Sequence, residues 1–142
     1  MVLRADVVRR KLLAIDQAIS RLRSWQPITQ ERLANELLLQ WAVERGLQIA
    51  AEALFDAGTH ILAGEFQEVV DRYAEVPERL AARSVLSVPT AARLQSLAGF
   101  RNVLVHDYAD IDLGRVAAGA QRLDDFAAFI ADVEQWLNAA GR

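Results

Sequence analysis

The chain has no cysteine. That removes a disulfide scaffold, a thiolate nucleophile and a cysteine-based zinc site, and it agrees with a reducing compartment. Prolines are scarce too: Pro27, Pro77 and Pro89 are the only three, so long stretches run without a backbone breaker. A strong charge of either sign is missing. The net charge of −3 excludes a protein whose whole surface clings to nucleic acid or anionic lipid, and any nucleic-acid contact has to be local. No apolar run approaches the roughly 18 residues of a membrane span, and the opening "MVLRADVVRRKLL" puts charges where a secretory signal needs an unbroken apolar stretch. A soluble, cytoplasmic protein with no membrane partner is expected. A glycine-rich phosphate loop, a tandem repeat and a low-complexity tract are absent as well.

What the chain does have is apolar material. Of its 142 residues 53% are hydrophobic, enough for one core, so a single domain over residues 1–142 is expected. The apolar residues recur at helical spacing. Val8, Leu12, Ile15, Ile19 and Leu22 form one stripe and predict a first helix over roughly residues 3–24. A second, unusually long helix is expected from near Thr29, with Thr29 or Ile28 as its cap, to about Ala63. Its interior is apolar around most of its circumference, which calls for more than one neighbour, a second subunit among them. Glu44, Gln48, Glu52, Asp56 and His60 recur every fourth residue there and form a polar stripe that winds by about 40° per step. One or two short helices are expected after Gly64. A fourth helix, capped by Ser87 or Thr90, should run toward Val105, and a long terminal helix should start at Asp112 and carry Leu113, Val116, Ala120, Leu123, Ala127, Ile130, Val133 and Leu137. The fold class is all-α, an up-and-down bundle of four to five main helices.

One stretch does not fit a plain bundle. "FRNVLVHDYADID", residues 100–112, puts Arg101, Asn102, His106, Asp107 and Tyr108 within eight positions of a helix-patterned segment. Arg101 offers a guanidinium fork suited to phosphate, and His106 can take and return a proton near neutral pH. Together they could cleave RNA without a metal. A base removes the ribose 2′-hydroxyl proton, the oxygen attacks the adjacent phosphorus, and a cation stabilises the charge that builds on the phosphoryl oxygens. Spacing sets a condition. On one continuous helix Arg101 and His106 lie about 140° apart around the axis, so the helix must end or distort near His106, or a second copy must complete the site. The plainer reading is a capping arginine, a satisfied histidine and a core tyrosine at a helix end.

Other polar residues carry paired readings. Glu44 can orient Arg101 or His106, or with Arg45 form a solvated helix edge. Asp107 can hold or tune His106, or face water. Asp56 and His60 have the spacing of two metal ligands, but without a third they are better read as local hydrogen bonding. No metal and no cofactor is expected. Trp25, Trp41 and Trp136 are read as core or interface anchors.

At these residues the sequence resembles the HepT-like toxins of the HEPN superfamily, whose pattern R-x-x-x-x-H-x-Y is matched by Arg101, His106 and Tyr108. Asn102 fits the residue that follows the arginine. "AVERGLQIAAEALFDAGTHIL", residues 42–62, is similar to the second-helix signature of the same family. The likeness covers most of the chain. It implies a HEPN-like homodimer with a metal-independent endoribonuclease site in the cleft between subunits, with Arg101 and His106 catalytic and Asn102, Asp107 and Glu44 in support. It also implies the toxin role in a type VII-like toxin–antitoxin pair, with RNA as substrate. The implied partner is an MntA-like nucleotidyltransferase antitoxin, in a hetero-oligomer, that transfers AMP from ATP onto Tyr108. The alternative is a non-catalytic helical dimer that binds a nucleotidyltransferase or a nucleotide through the same cleft, and a weaker third is a structural subunit in which the pattern is inert.

Overall fold

The stripe of the first segment is a buried face. Helix α1, Ala5–Ser24, buries Val8, Leu12, Ile15, Ile19 and Leu22, and it packs along the central helix and against the C-terminal one. Each such side chain contributes about 1.5–3 kcal/mol relative to exposure. The computed structural model describes residues 2–106 and 110–142, without the side chains of residues 105 and 106. The chain is all-helical over these residues, with α-helices at Ala5–Ser24 (α1), Gln30–Asn35 (α2), Leu37–Phe66 (α3), Val76–Ala82 (α4), Val88–Arg93 (α5), Leu97–His106 (α6), Leu113–Ala120 (α7) and Leu123–Ala139 (α8). None of them is long and apolar enough to cross a membrane.

Three helices expected to be continuous are each broken. The long second helix starts as predicted, with the Thr29 hydroxyl accepting the N–H of Arg32 at 3.1 Å, but it breaks at Glu36, which takes φ −121° and ψ 88°. Arg32 is the physical reason. Its guanidinium donates to the backbone oxygens of Trp25 and Pro27 and, through Nε, to Glu36 Oε2 at 2.9 Å, which ties α2 to the preceding loop and lets it bury Leu33. Beyond the break α3 runs past the expected end at Ala63 to Phe66. Gly64 is not a stop: a Cβ there would lie 2.8 Å from the Leu3 backbone, so the glycine admits the N-terminal segment. The helix closes instead at Gln67, in the left-handed region at φ 53°.

Helix α3 is apolar around most of its circumference because α1, α2, α4, α6, α7 and α8 all touch it. Most of its neighbours are therefore within the chain. Its first turns differ, since Leu37, Leu38 and Trp41 stay exposed.

The other two breaks face each other. Ser87 caps α5 by accepting the Thr90 N–H at 3.2 Å, but the helix stops at Arg93 and resumes at Leu97. Asp112 caps α7 by accepting the Arg115 N–H at 3.1 Å, and the terminal helix is interrupted at Gln121 and Arg122. Gln121 Nε2 donates to Ile28 O at 3.0 Å, and Arg122 donates to Arg93 O at 2.6 Å and to Ser96 Oγ at 3.1 Å. Each interruption thus offers its polar groups to another break or loop. The fold keeps the predicted class, with shorter pieces than the periodicity alone suggests.

Candidate active site

Helix α6 crosses α3 and the 3₁₀ turn Tyr73–Glu75, and Arg101 lies where the three meet. Its Nη2 is 3.8 Å from Glu52 Oε1 on α3, and its Cζ sits over the Tyr73 ring, 5.0 Å from the centroid. Tyr73 is fixed in turn by the fully buried Phe55, whose ring stacks on it at 4.7 Å and 7°. The aromatic contact orients the guanidinium and contributes about 0.5–2 kcal/mol. The ion pair is different in kind. At 3.8 Å it is too long for a direct hydrogen bond, and the same Glu52 oxygen accepts from Gln48 Nε2 at 3.2 Å. Among the described residues the Arg101 guanidinium thus has no close acceptor for its N–H groups. Its Nε is buried and has no partner among the described residues, an arrangement that an incoming anionic oxygen would relieve.

The remaining sequence-predicted site residues are less fully described. Asn102 follows Arg101 on α6 and is exposed. His106 is the last described residue of α6, so Arg101 and His106 share one helix up to that point. Asp107 and Tyr108 lie outside the described residues, as does any break just after His106. Glu44 is partly buried on α3; burial raises its carboxyl above the ordinary glutamate value, and a hydrogen bond from Gln40 opposes that. It stands eight residues before Glu52, about 12 Å along the helix.

The residues that support Arg101 in the structure, Glu52 and Tyr73, were not singled out in the sequence. Glu52 had a signal, its place in the four-residue polar stripe. That stripe winds as expected, and successive members meet different neighbours: Glu52 faces Arg101, Asp56 pairs with Lys11 at 3.3 Å, and His60 Nε2 accepts the Arg4 N–H at 3.1 Å. Asp56 and His60 are thus each engaged with the N-terminal segment. Tyr73 had no signal, because its position against Phe55 depends on how the segment after α3 folds back. Trp136 packs against Phe66 at 6.1 Å, whereas Trp41 is 59% exposed and is no core anchor within the chain.

Comparison with known proteins places this arrangement in a family. Residues 15–133 match the family model described as HepT-like, Ribonuclease HepT-like. The mRNA nuclease HepT of Shewanella oneidensis is 27% identical over 126 residues, covering 88% of this chain and 94% of that protein. The tRNA nuclease HepT of Aphanizomenon flos-aquae is 24% identical, covering 92% and 90%. Among solved structures, the tri-AMPylated Shewanella oneidensis HEPN toxin in complex with MNT antitoxin superposes with a TM-score of 0.80 at 26% identity, covering 92% of this chain and 98% of that one. With the family model spanning most of its length and all three breaks of the bundle, the chain belongs to the ribonuclease HepT-like family.

Proposed function

We propose that this chain is the toxin of a toxin–antitoxin pair, a metal-independent endoribonuclease of the cytoplasm that works as a homodimer and is silenced by AMP transfer onto Tyr108. Ribonuclease activity goes with the family. The observation that carries the mechanism is Arg101: a guanidinium oriented by Tyr73, steadied at a distance by Glu52, with a buried N–H that has no partner among the described residues, five residues before a histidine on the same helix.

His106 removes the ribose 2′-hydroxyl proton, and the 2′-oxygen attacks the adjacent phosphorus. Arg101 stabilises the negative charge that grows on the phosphoryl oxygens. The bond to the 5′-oxygen breaks, that oxygen receives a proton from a histidine, and a 2′,3′-cyclic phosphate remains. With two copies around a two-fold axis, one His106 serves as base and the other as acid, which removes the difficulty of their positions on one helix. The exposed Leu37, Leu38 and Trp41 support a partnered state, since apolar side chains gathered on one surface are commonly covered by another chain.

The relative solved with an MNT antitoxin carries AMP groups, and that supports the same control here. The Tyr108 oxygen would attack the α-phosphorus of ATP, pyrophosphate would leave, and the phosphodiester formed would set an anionic phosphate against Arg101 and exclude RNA. Asn102, Asp107 and Glu44 belong to the site in supporting roles.

Incubation of the purified chain with RNA and a chelator tests the reaction. Cyclic-phosphate ends are expected, with loss of cleavage in folded Arg101→Ala and His106→Ala proteins. Chelator-resistant cleavage that survives either substitution would sink the mechanism. Incubation with the nucleotidyltransferase and ATP, followed by mass mapping, should show an AMP-sized increment on Tyr108, and its absence would remove the switch.

A further inference from the structure

The two opposed helix breaks leave a cavity of about 160 Å³ between the α5–α6 turn and the α7–α8 junction. Its inner wall is apolar, with Leu94, Leu97 and Phe126 nearly buried. Phe100 lies across it, packed so closely on α7 that a Cβ at Gly119 would come within 2.4 Å of the ring. The mouth is cationic, formed by the exposed Arg93, Arg115 and Arg122. Arg122 is immobilised by Arg93 O, Ser96 Oγ and Asp125 Oδ2, and Asp125 offsets its charge. Arg93 and Arg115 have no carboxylate partner among the described residues. Elsewhere many cations of this acidic chain do, as in Lys11 with Asp56, Arg23 with Asp124, Arg83 with Glu68 and Arg142 with Glu65.

We infer that this cavity is a nucleotide subsite for single-stranded RNA, taking one base against Phe100 while Arg93 and Arg115 hold the flanking phosphates. An apolar slot with one aromatic wall and free guanidinium groups at its mouth suits an unstacked base on its sugar–phosphate chain. Its place suits the reaction too. Phe100 directly precedes Arg101, so their Cα atoms are about 3.8 Å apart and their side chains leave α6 about 100° apart around the axis. A strand bent around α6 presents one phosphate to Arg101 and a neighbouring base to the cavity. The inference rests on the ribonuclease reading for the position of the scissile phosphate; binding in the cavity stands on its own residues.

The test uses the full chain and a fluorescein-labelled single-stranded RNA oligonucleotide, with binding and cleavage measured over a range of salt concentrations. Arg93→Ala/Arg115→Ala should weaken binding about tenfold and lower the slope of log K against log salt by about 1.4, the share of two phosphate contacts. Phe100→Leu should weaken it about five- to hundredfold, as loss of one stacked base does, and in both variants the loss should fall on KM rather than kcat. Circular dichroism checks folding. Should Phe100→Leu fail to fold, crosslinking of a 4-thiouridine oligonucleotide to the wild-type chain, mapped to Phe100 or Gly119, takes its place. Arg10→Ala/Arg21→Ala, two exposed arginines on α1, is the two-charge control for Arg93→Ala/Arg115→Ala. Equal weakening by the control would reduce the effect to overall charge and overturn the subsite. So would unchanged RNA binding in the arginine variant, including the case where that variant instead loses the nucleotidyltransferase, which would make the cavity a protein contact. If the wild-type chain binds but does not cut, the crosslink still reads the subsite, so its fate and that of the ribonuclease mechanism are separable.

Discussion

The α1–α3 pair and the α5–α7 edge are built on opposite terms. Along the pair, long helices bury Ile15, Ile19, Leu22, Leu47, Leu54 and Phe55 completely or nearly so, and at its surface Lys11 and Asp56 meet at 3.3 Å. At the edge the helices are short, and among the described residues Arg93 and Arg115 lack carboxylate partners and the buried Nε–H of Arg101 has no acceptor. The first region concentrates apolar burial, the main source of folding free energy. The second holds polar groups in readiness for something outside the chain. Departures from full satisfaction are expected where a protein acts, and the rest of the fold has to offset them. Phe55 joins the two regions, since its buried ring is also the seat of Tyr73.

That junction gives the sharpest way to break the contrast. Phe55→Ala should cost about 3–5 kcal/mol in urea unfolding, through lost burial and the cavity left behind, and should disable the site by loosening Tyr73. A cost below about 1 kcal/mol would mean that α3 is not the scaffold described above. Arg101→Ala should behave in the reverse way. Cleavage should fall about 10²–10³-fold, the scale of a lost charge-stabilising donor, while the melting temperature moves little, because among the described residues the side chain has a long ion pair and an aromatic contact to lose. Tyr73 lies between these extremes as a positioning residue. Tyr73→Ala should lower kcat by about two- to thirtyfold, and Tyr73→Phe should restore it, since the ring rather than the hydroxyl holds the guanidinium. Equal loss in both variants would assign the hydroxyl a role that the geometry does not give it.

The two regions also differ in how legible they are in the sequence. The stripe Val8–Leu22 and the cap Asp112 were readable, and the caps Thr29 and Ser87 each as one of two neighbouring candidates, because burial periodicity and capping are local properties. The breaks at Glu36, at residues 94–96 and at Gln121–Arg122 were not. Each is held by a side chain that reaches a residue or backbone oxygen set in place by the turns around it: Arg32 to Trp25 O, Gln121 to Ile28 O, Arg122 to Arg93 O. Such partners exist only once the chain has folded back. The site divides the same way. Arg101 stood out by residue type and by its distance from His106, whereas Glu52 and Tyr73 reach it from another helix and a turn. The stripe from Glu44 to His60 showed that acids recur on α3, and the winding that decides which one meets Arg101 needed the positions of α1 and α6.

Glu44 and Glu52, two turns apart on that stripe, allow the finest test. Glu52 has a cation near it; Glu44 has, among the described residues, the Gln40 amide, and burial raises its carboxyl above the ordinary glutamate value. The folded chain therefore holds the Glu44 proton to a higher pH than the unfolded chain does. Within that window the folded state binds more protons, so this residue's contribution to stability falls as pH rises through the ordinary glutamate value and stays lower above the window. A neutral glutamine of the same shape can still accept from Gln40 and carries no charge to desolvate. Glu44→Gln should thus raise the melting temperature slightly at about pH 7, by no more than about 3 °C, with the gain vanishing near pH 3.5, where both proteins are neutral at that position. Glu52→Gln should show no such gain, because it gives up the attraction to Arg101. A neutral-pH gain from Glu52→Gln, or none from Glu44→Gln, would reverse the assignment of which carboxylate its surroundings stabilise and which burial costs.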